Sequence, residues 1–110
     1  MSQIGGTKLA FKSPSQEVIR DTIHTMPTID IYTKFACGFC VRAKRLLTEK
    51  GADFNEYDIT MGGPKRDEML QRAPNAMTVP QIFIGDVHVG GSDDLAALER
   101  EGKLDALLAG

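Results

Sequence analysis

The spacing of apolar and polar residues changes several times along this chain, and each spacing predicts a different element. Between Thr28 and Thr33 polar and apolar side chains alternate, and β-branched and aromatic residues are frequent, which is typical of a strand. Residues 41–50 are mostly helix-forming residues without glycine or proline, and they predict a helix that ends before Gly51. Residues 54–59 predict a second strand. A strand, a helix and a strand within about thirty residues are typical of a right-handed βαβ unit with parallel strands.

The second half of the chain predicts a helix, a hairpin and a last helix. Gly62-Gly63-Pro64 separates these elements from the βαβ unit, and Gly85-Asp86 is typical of a tight hairpin turn. Ser92 or Asp93 is the expected cap of the last helix, which Gly102 interrupts. The other predicted elements are a helix over residues 65–73, strands over 79–84 and 87–89, and a last turn or two over 103–108. This order predicts an α/β fold with one four-stranded mixed sheet flanked by helices on both faces.

The first 26 residues carry a different pattern from the rest of the chain. Residues 1–12 show no regular spacing of apolar residues, which predicts a flexible tail. Ser13-Pro14 is a helix-start signal, and the apolar spacing after it predicts an extra N-terminal helix over about residues 14–26. A chain of 110 residues has room for one small domain. We therefore predict a single domain over residues 13–110, made of the extra helix and a core at 27–110.

Composition and charge narrow the class of function. The net charge is −2, with 25% charged residues of both signs, which does not favour a nucleic acid or an anionic membrane surface as a partner. No apolar run is long enough to span a bilayer. Two cysteines in an otherwise cysteine-free chain are not typical of a secreted disulfide scaffold. A reducing compartment, the cytoplasm, is the expected location.

The two cysteines, Cys37 and Cys40, fall where the first strand ends and the first helix begins. The unpaired N–H groups and the positive dipole end of a helix start stabilise an anion, and Lys34 adds a nearby cation, so Cys37 is expected to favour the reactive thiolate form. Cys40 lies one turn further, on the apolar side with Ala43 and Leu47, and is expected to be buried. This contrast predicts a nucleophile at Cys37 and a resolving thiol at Cys40.

Two other interpretations of the cysteine pair are disfavoured. Half of a structural zinc site would need two more ligands, and neither His24 nor His88 lies at zinc-ligand spacing from the cysteines. Two inert core thiols are the other alternative, because free cysteine is often buried. A helix start next to a lysine is an unusual place for an inert thiol, so redox chemistry is the favoured interpretation.

Three motifs together resemble the glutaredoxin family: Cys37-Gly38-Phe39-Cys40 after a strand, Thr78-Val79-Pro80 before a hairpin, and Gly90-Gly91-Ser92-Asp93-Asp94 after it. The resemblance runs from about Pro27 to the C-terminus and is to the dithiol type. It implies a thioredoxin-like fold and glutathione-dependent reduction of protein disulfides and of protein–glutathione mixed disulfides. The implied partners are glutathione and disulfide-bonded or glutathionylated proteins, and the chain is expected to be a monomer.

The resemblance also implies a glutathione site along the last two motifs. A cis bond before Pro80 would leave the backbone of Val79 unpaired, so that the cysteine residue of glutathione could pair with it as an added strand. Free N–H groups of Ser92 and Asp93 would bind the γ-glutamyl carboxylate, and the Asp93 side chain would take the ammonium group. The implied glutathione-binding residues, which include two cations for the glycine carboxylate, are Lys34, Phe39, Arg66, Thr78, Val79, Pro80, Gly91, Ser92 and Asp93.

Two alternative functions remain. Dithiol members of the family usually carry Pro and Tyr between the cysteines, whereas this chain has Gly38 and Phe39. Because a residue other than proline frees the loop, the chain is also a candidate iron–sulfur carrier, in which two subunits each offer Cys37 and a bound glutathione thiolate to a [2Fe–2S] cluster. A dimer is expected only with that cluster, and no other metal is expected. A thioredoxin-type reductant fed by a flavoenzyme is disfavoured, because Ala36 stands where thioredoxins carry tryptophan.

Overall fold

The computed structural model describes residues 27–110, so the predicted tail at 1–12 and extra helix at about 14–26 lie outside the described residues. Each element predicted after Pro27 is present, with ends shifted by up to three residues. None of the helices in the described part of the chain is long and apolar enough to cross a membrane. In chain order the elements are β1 (Ile29–Thr33), α1 (Gly38–Glu49), β2 (Asn55–Asp58), α2 (Pro64–Arg72), β3 (Gln81–Ile84), β4 (Val87–Gly90), α3 (Ser92–Arg100) and α4 (Leu104–Ala109).

The described strands form one four-stranded sheet in the order β2-β1-β3-β4. β1 pairs in parallel with β2, with Tyr32 opposite Tyr57. β3 pairs antiparallel with β1, with Ile82 opposite Ile31, and β4 pairs antiparallel with β3. The parallel pair is the predicted βαβ unit and the last two strands are the predicted hairpin, so the four-stranded mixed sheet is confirmed.

Helices cover both faces of this sheet and enclose two hydrophobic cores. Isoleucines of β1 and β3 pack with α1, α3 and α4, whereas the rings of Tyr32 and Phe83 pack with α2 on the other face. This division follows from the twofold side-chain period of a strand. The first core contains Ile29, Ile31, Ala43, Leu47, Ala52, Ile82, Ile84, Leu95, Leu104 and Leu108. The second core contains Tyr32, Ile59, Met69, Ala73 and Phe83.

The start of α3 differs from the prediction. Its N-cap is Gly91, so the expectation that Ser92 or Asp93 caps this helix is wrong. Gly91 has extended backbone angles, and its N–H donates to the Asp94 carboxylate over 2.9 Å. This contact satisfies one of the N–H groups at the helix start, and the helix already begins at Ser92.

Candidate active site

Cys37 lies at the junction of β1 and α1 as the N-cap residue of α1, with extended backbone angles. The Cys40 N–H donates to Cys37 Sγ over 3.1 Å, and this sulfur lies 3.9 Å from the Val79 carbonyl oxygen. The Cys40 N–H and the positive dipole end of the helix start both favour a negative charge on this sulfur, so the site suits a negatively charged nucleophile. Cys37 is half-buried, so it is more accessible than the buried Cys40.

Cys40 lies one turn further along α1 and is 2% exposed, so its predicted burial is confirmed. It lies on the same side of the helix as Ala43 and Leu47, which are also buried. Burial, and next the hydrogen bond with Cys37, raise the pKa of the Cys40 thiol from an ordinary 9.0 to about 11. Cys40 is therefore a neutral thiol at pH 7, and the two cysteines are chemically unlike.

An open groove of about 740 Å³ lies beside Phe39 of α1. The Val79–Pro80 peptide bond in its wall is cis, as the family resemblance implies. β3 begins at Gln81 instead of the predicted residue 79, because Pro80 has no N–H to donate to the sheet ladder. None of the residues that the structure describes accepts a hydrogen bond from Val79 N–H, so this edge can pair with an extended peptide. Seven of the nine predicted glutathione-binding residues line the groove: Phe39, Thr78, Val79, Pro80, Gly91, Ser92 and Asp93.

The first turn of α3 forms another wall of the groove. Ser92 and Asp93 occupy its first two positions, whose N–H groups have no intrahelical acceptor. Ser92 is buried, whereas the Asp93 side chain is 88% exposed. The Asp93 carboxylate lies 3.9 Å from the Arg42 guanidinium, and an exposed ion pair of this kind is readily exchanged for another cation. This helix start therefore offers N–H donors that have no acceptor in its own helix, beside an exposed carboxylate, which suits an amino-acid group carrying both charges.

Lys34 and Arg66 do not line that groove. Both line a neighbouring cavity of about 50 Å³, which shares Ala76, Met77, Thr78 and Val79 with the groove. Both side chains are exposed. The structure thus brings the two predicted cations next to the Thr78–Val79 segment, and their binding of a carboxylate stays a prediction.

Known proteins resemble this chain over most of its described length. The family model Glutaredoxin matches residues 29–89. Glutaredoxin of Pseudomonas aeruginosa is 55% identical over 84 residues, which are 76% of this chain and 99% of that protein. The chain belongs to the glutaredoxin family. Glutaredoxin 3 of Escherichia coli strain K12 is 51% identical over 83 residues, which are 76% of this chain and 99% of that protein.

Solved glutaredoxin structures share the fold of this glutaredoxin. The solution structure of glutaredoxin from Brucella melitensis has 56% identity and a TM-score of 0.66, over 76% of this chain and 90% of that one. The structure "Metal Binding of Glutaredoxins" has 57% identity and a TM-score of 0.58, over 76% and 90%. The buckwheat glutaredoxin–glutathione complex has 31% identity and a TM-score of 0.64, over 77% and 78%. The thioredoxin-like fold is therefore confirmed, and Cys37-Gly38-Phe39-Cys40 fits the redox-active site of this family of glutathione-dependent thiol oxidoreductases.

The groove of this glutaredoxin also includes Arg72, Gln81 and His88, to which the sequence assigned no role in the site. His88 is exposed on β4, but its Nε2 lies 2.7 Å from Gln81 Oε1. The Arg72 guanidinium donates to Asp30 over 3.0 Å and lies 4.0 Å from the centre of the Phe83 ring. These contacts depend on strand register and on the placement of α2, for which the sequence carries no short-range signal.

Proposed function

We propose that this glutaredoxin reduces protein–glutathione mixed disulfides, as well as protein disulfides, with Cys37 as the nucleophile. One observation carries the proposal: Cys37 Sγ lies at a helix start and 3.9 Å from the carbonyl oxygen of Val79, whose N–H has no acceptor among residues 27–110. A cysteine residue that pairs with Val79 as an added strand would bring its sulfur close to Cys37. The buckwheat relative, which is a complex with glutathione, supports glutathione as the ligand of this groove.

The proposed reaction is thiol–disulfide exchange. The Cys37 thiolate attacks the glutathione sulfur of the mixed disulfide, a bond forms between these two sulfurs, and the substrate thiolate leaves and takes a proton from solvent. A second glutathione thiolate then attacks the glutathione sulfur held on Cys37, which releases glutathione disulfide and restores the Cys37 thiolate. In the alternative route the Cys40 thiolate attacks the Cys37 sulfur and expels glutathione. The resulting internal disulfide is reduced by two further glutathione molecules, which leave as glutathione disulfide.

We propose that the three parts of glutathione bind to three parts of the site. The cysteine residue pairs with the Val79 backbone, and the γ-glutamyl group binds at the start of α3, with its carboxylate on the N–H groups of Ser92 and Asp93 and its ammonium on the Asp93 side chain. The exposed Arg42 leaves that carboxylate when the ligand ammonium arrives. The glycine carboxylate binds the neighbouring cations Lys34 and Arg66.

The proposed partners and location follow from this chemistry. We propose that the partners are glutathione and proteins that carry a disulfide or a glutathione adduct. The chain acts as a monomer in this reaction, because Cys37, the groove and the start of α3 all belong to one chain. Turnover requires a reduced glutathione pool, so the cytoplasm stays the predicted location.

The test compares two mixed disulfides of one cysteine peptide, with glutathione and with 2-mercaptoethanol. The reduced protein is mixed with each adduct, and loss of the adduct is followed by mass spectrometry. We expect the glutathione adduct to react at least about tenfold faster, because only glutathione can use several charge-assisted contacts of about 1–3 kcal/mol each. Cys37→Ser is the control and is expected to react with neither adduct. Equal rates for the two adducts in the wild type would contradict a glutathione site.

As a second candidate function we propose binding of a [2Fe–2S] cluster; the structure "Metal Binding of Glutaredoxins", at 57% identity, supports metal binding in general. Within residues 27–110 there is no group of three or more His, Cys, Asp or Glu side chains that could hold a metal ion. The ligands would therefore be Cys37 of two subunits and two bound glutathione thiolates. Gly38, the first residue of α1, leaves open space at the helix start, since a Cβ added there would meet no atom within 4 Å apart from its chain neighbours and the backbone of its own helix.

The cluster test is anaerobic reconstitution with iron, sulfide and glutathione. We expect a coloured dimer from the wild type and a colourless product from Cys37→Ser, because that variant lacks the protein thiolate. Absorption spectra and size-exclusion chromatography give the two readouts. A colourless, monomeric wild type would exclude this second function.

A further inference from the structure

Gln81 is a polar residue in the wall of the groove that the proposed reaction does not use. Gln81 is 6% exposed and directly follows the cis Val79–Pro80 bond. Gln81 Nε2 donates to the Thr78 carbonyl oxygen over 2.9 Å, and Gln81 Oε1 lies 2.7 Å from His88 Nε2. Both ends of the buried amide are thus satisfied, which fixes the orientation of the side chain.

The direction of these hydrogen bonds follows from the Thr78 carbonyl group. A carbonyl oxygen only accepts, so the Gln81 atom that faces it is the amide nitrogen. The Gln81 amide oxygen also only accepts, so His88 carries a proton on Nε2. The result is two consecutive hydrogen bonds that run from His88 through Gln81 to Thr78, which we call the Thr78–Gln81–His88 chain.

The His88 imidazole, at one end of the Thr78–Gln81–His88 chain, is held by Phe83 of the second hydrophobic core. The imidazole stacks on the Phe83 ring, with ring centroids 4.7 Å apart and planes inclined by 18°. Phe83 is 3% exposed, and the Arg72 guanidinium lies 4.0 Å from its ring centre while it donates to Asp30. An imidazole stacked on a fixed aromatic ring loses rotational freedom. His88 therefore presents Nε2 to Gln81 although it lies on an exposed strand.

At the other end of the Thr78–Gln81–His88 chain, the Thr78 carbonyl is part of a peptide group between two residues that line the groove. The Thr78 carbonyl and the Val79 N–H are parts of one planar trans peptide unit, in which the two groups point in opposite directions. Donation from Gln81 therefore sets the direction of the Val79 N–H, which has no acceptor among the described residues. It also polarises this peptide unit, because consecutive hydrogen bonds strengthen one another.

We propose that Gln81 and His88 are positioning residues for glutathione recognition, which hold the Val79 N–H toward the groove. The inference rests on the proposed function and names what sets the affinity of the groove for the glutathione backbone. A positioning role and a merely structural role have different consequences. Positioning predicts a loss confined to substrates that carry glutathione, whereas a structural role predicts the same loss for every disulfide.

The experiment uses Gln81→Met, which keeps the length of the side chain, and His88→Phe, which keeps the stack on Phe83. Gln71→Met is the matched control, because Gln71 is exposed on α2 and does not line the groove. Each variant reacts with the glutathione and 2-mercaptoethanol adducts of one peptide. We expect Gln81→Met to slow the glutathione adduct about three- to tenfold, the effect of one lost hydrogen bond, and to leave the other adduct unchanged.

His88→Phe is expected to show a smaller loss with the same selectivity. The double variant is expected to react no more slowly than Gln81→Met, because His88 acts only through Gln81. The Val79 amide signal in ¹H–¹⁵N spectra should move in both single variants and stay in place in Gln71→Met, because only the first two change the Thr78–Gln81–His88 chain. This spectrum is recorded without substrate and reports the peptide group directly.

Two results would overturn the inference. One is an unchanged rate with the glutathione adduct in both single variants, and the other is an equal loss for both adducts. A wild type that itself reacts equally fast with both adducts would instead contradict the proposed function. A selective wild type with unaffected variants would contradict only the positioning role of Gln81 and His88.

Discussion

The raised pKa of the Cys40 thiol makes a quantitative prediction about the internal disulfide. In the reduced protein this pKa is about 11 against an ordinary 9.0, with burial as the largest cause. Only the thiolate attacks, so about one Cys40 in 10⁴ is reactive at pH 7. When glutathione occupies Cys37, the contribution of the Cys37 thiol is lost but burial remains, so the pKa of Cys40 stays above its ordinary value. At most about 1% of Cys40 is then ionised at pH 7.

The perturbation is a change of pH, with Cys40→Ser as the control. A raised pKa means that the thiolate is gained only as the pH rises. We therefore expect Cys40 to expel glutathione from Cys37 about tenfold faster for each unit between pH 6 and pH 9. In Cys40→Ser no release is expected without added glutathione. With glutathione present, this variant should retain or even raise turnover of glutathionylated substrates, and it should lose only reactions that require a dithiol.

The assay starts from wild type loaded with one glutathione at acidic pH. Rapid transfer to buffers between pH 6 and pH 9 starts the reaction, acid stops it, and mass spectrometry counts the remaining adduct. A release rate that is constant over this range, or that levels off near pH 7, would show that Cys40 ionises at neutral pH. Either outcome would refute the argument from burial. A large loss of turnover in Cys40→Ser would refute it independently.

Three further predictions follow from the same structure. Cys37→Ser should abolish turnover, and iodoacetamide at mildly acidic pH should label Cys37 of the reduced wild type; mass spectrometry that finds the label on the other thiol would contradict the assignment. Asp93→Ala and Arg66→Ala should each lower the affinity for glutathione roughly 5- to 150-fold, because each removes a charge-assisted contact of about 1–3 kcal/mol. An unchanged KM for glutathione in both variants would show that these residues do not bind it. Leu47→Ala should lower the free energy of unfolding by about 2–5 kcal/mol, because Leu47 is 0% exposed. Val41→Ala, at 50% exposure, should lower it by less than about 0.5 kcal/mol in the same denaturant titration, and equal losses would contradict this burial argument.

The sequence by itself determined the secondary-structure elements and the contrast between the two thiols. Alternation predicted β1, and the helix-forming run up to Gly51 predicted most of α1. The helical spacing of Cys40 from Ala43 and Leu47 predicted its burial, since residues three and four apart lie on one face of a helix. All of these depend on interactions between near neighbours in the chain, which a sequence pattern records directly. The glutathione site could be predicted only from the resemblance to a family, because no regular spacing of apolar and polar residues indicates it.

The tertiary structure alone decided which of these elements meet. It brings Cys37 within 3.9 Å of Val79, 42 positions away, and it places the start of α3 in the same groove. It also decided the hydrogen bond between Gln81 and His88, which requires the register of β3 against β4, and the N-cap at Gly91. Register and helix placement are set by the packing of the whole sheet against two cores on its opposite faces. No single segment encodes that balance, so these contacts could not be read from the order of the residues.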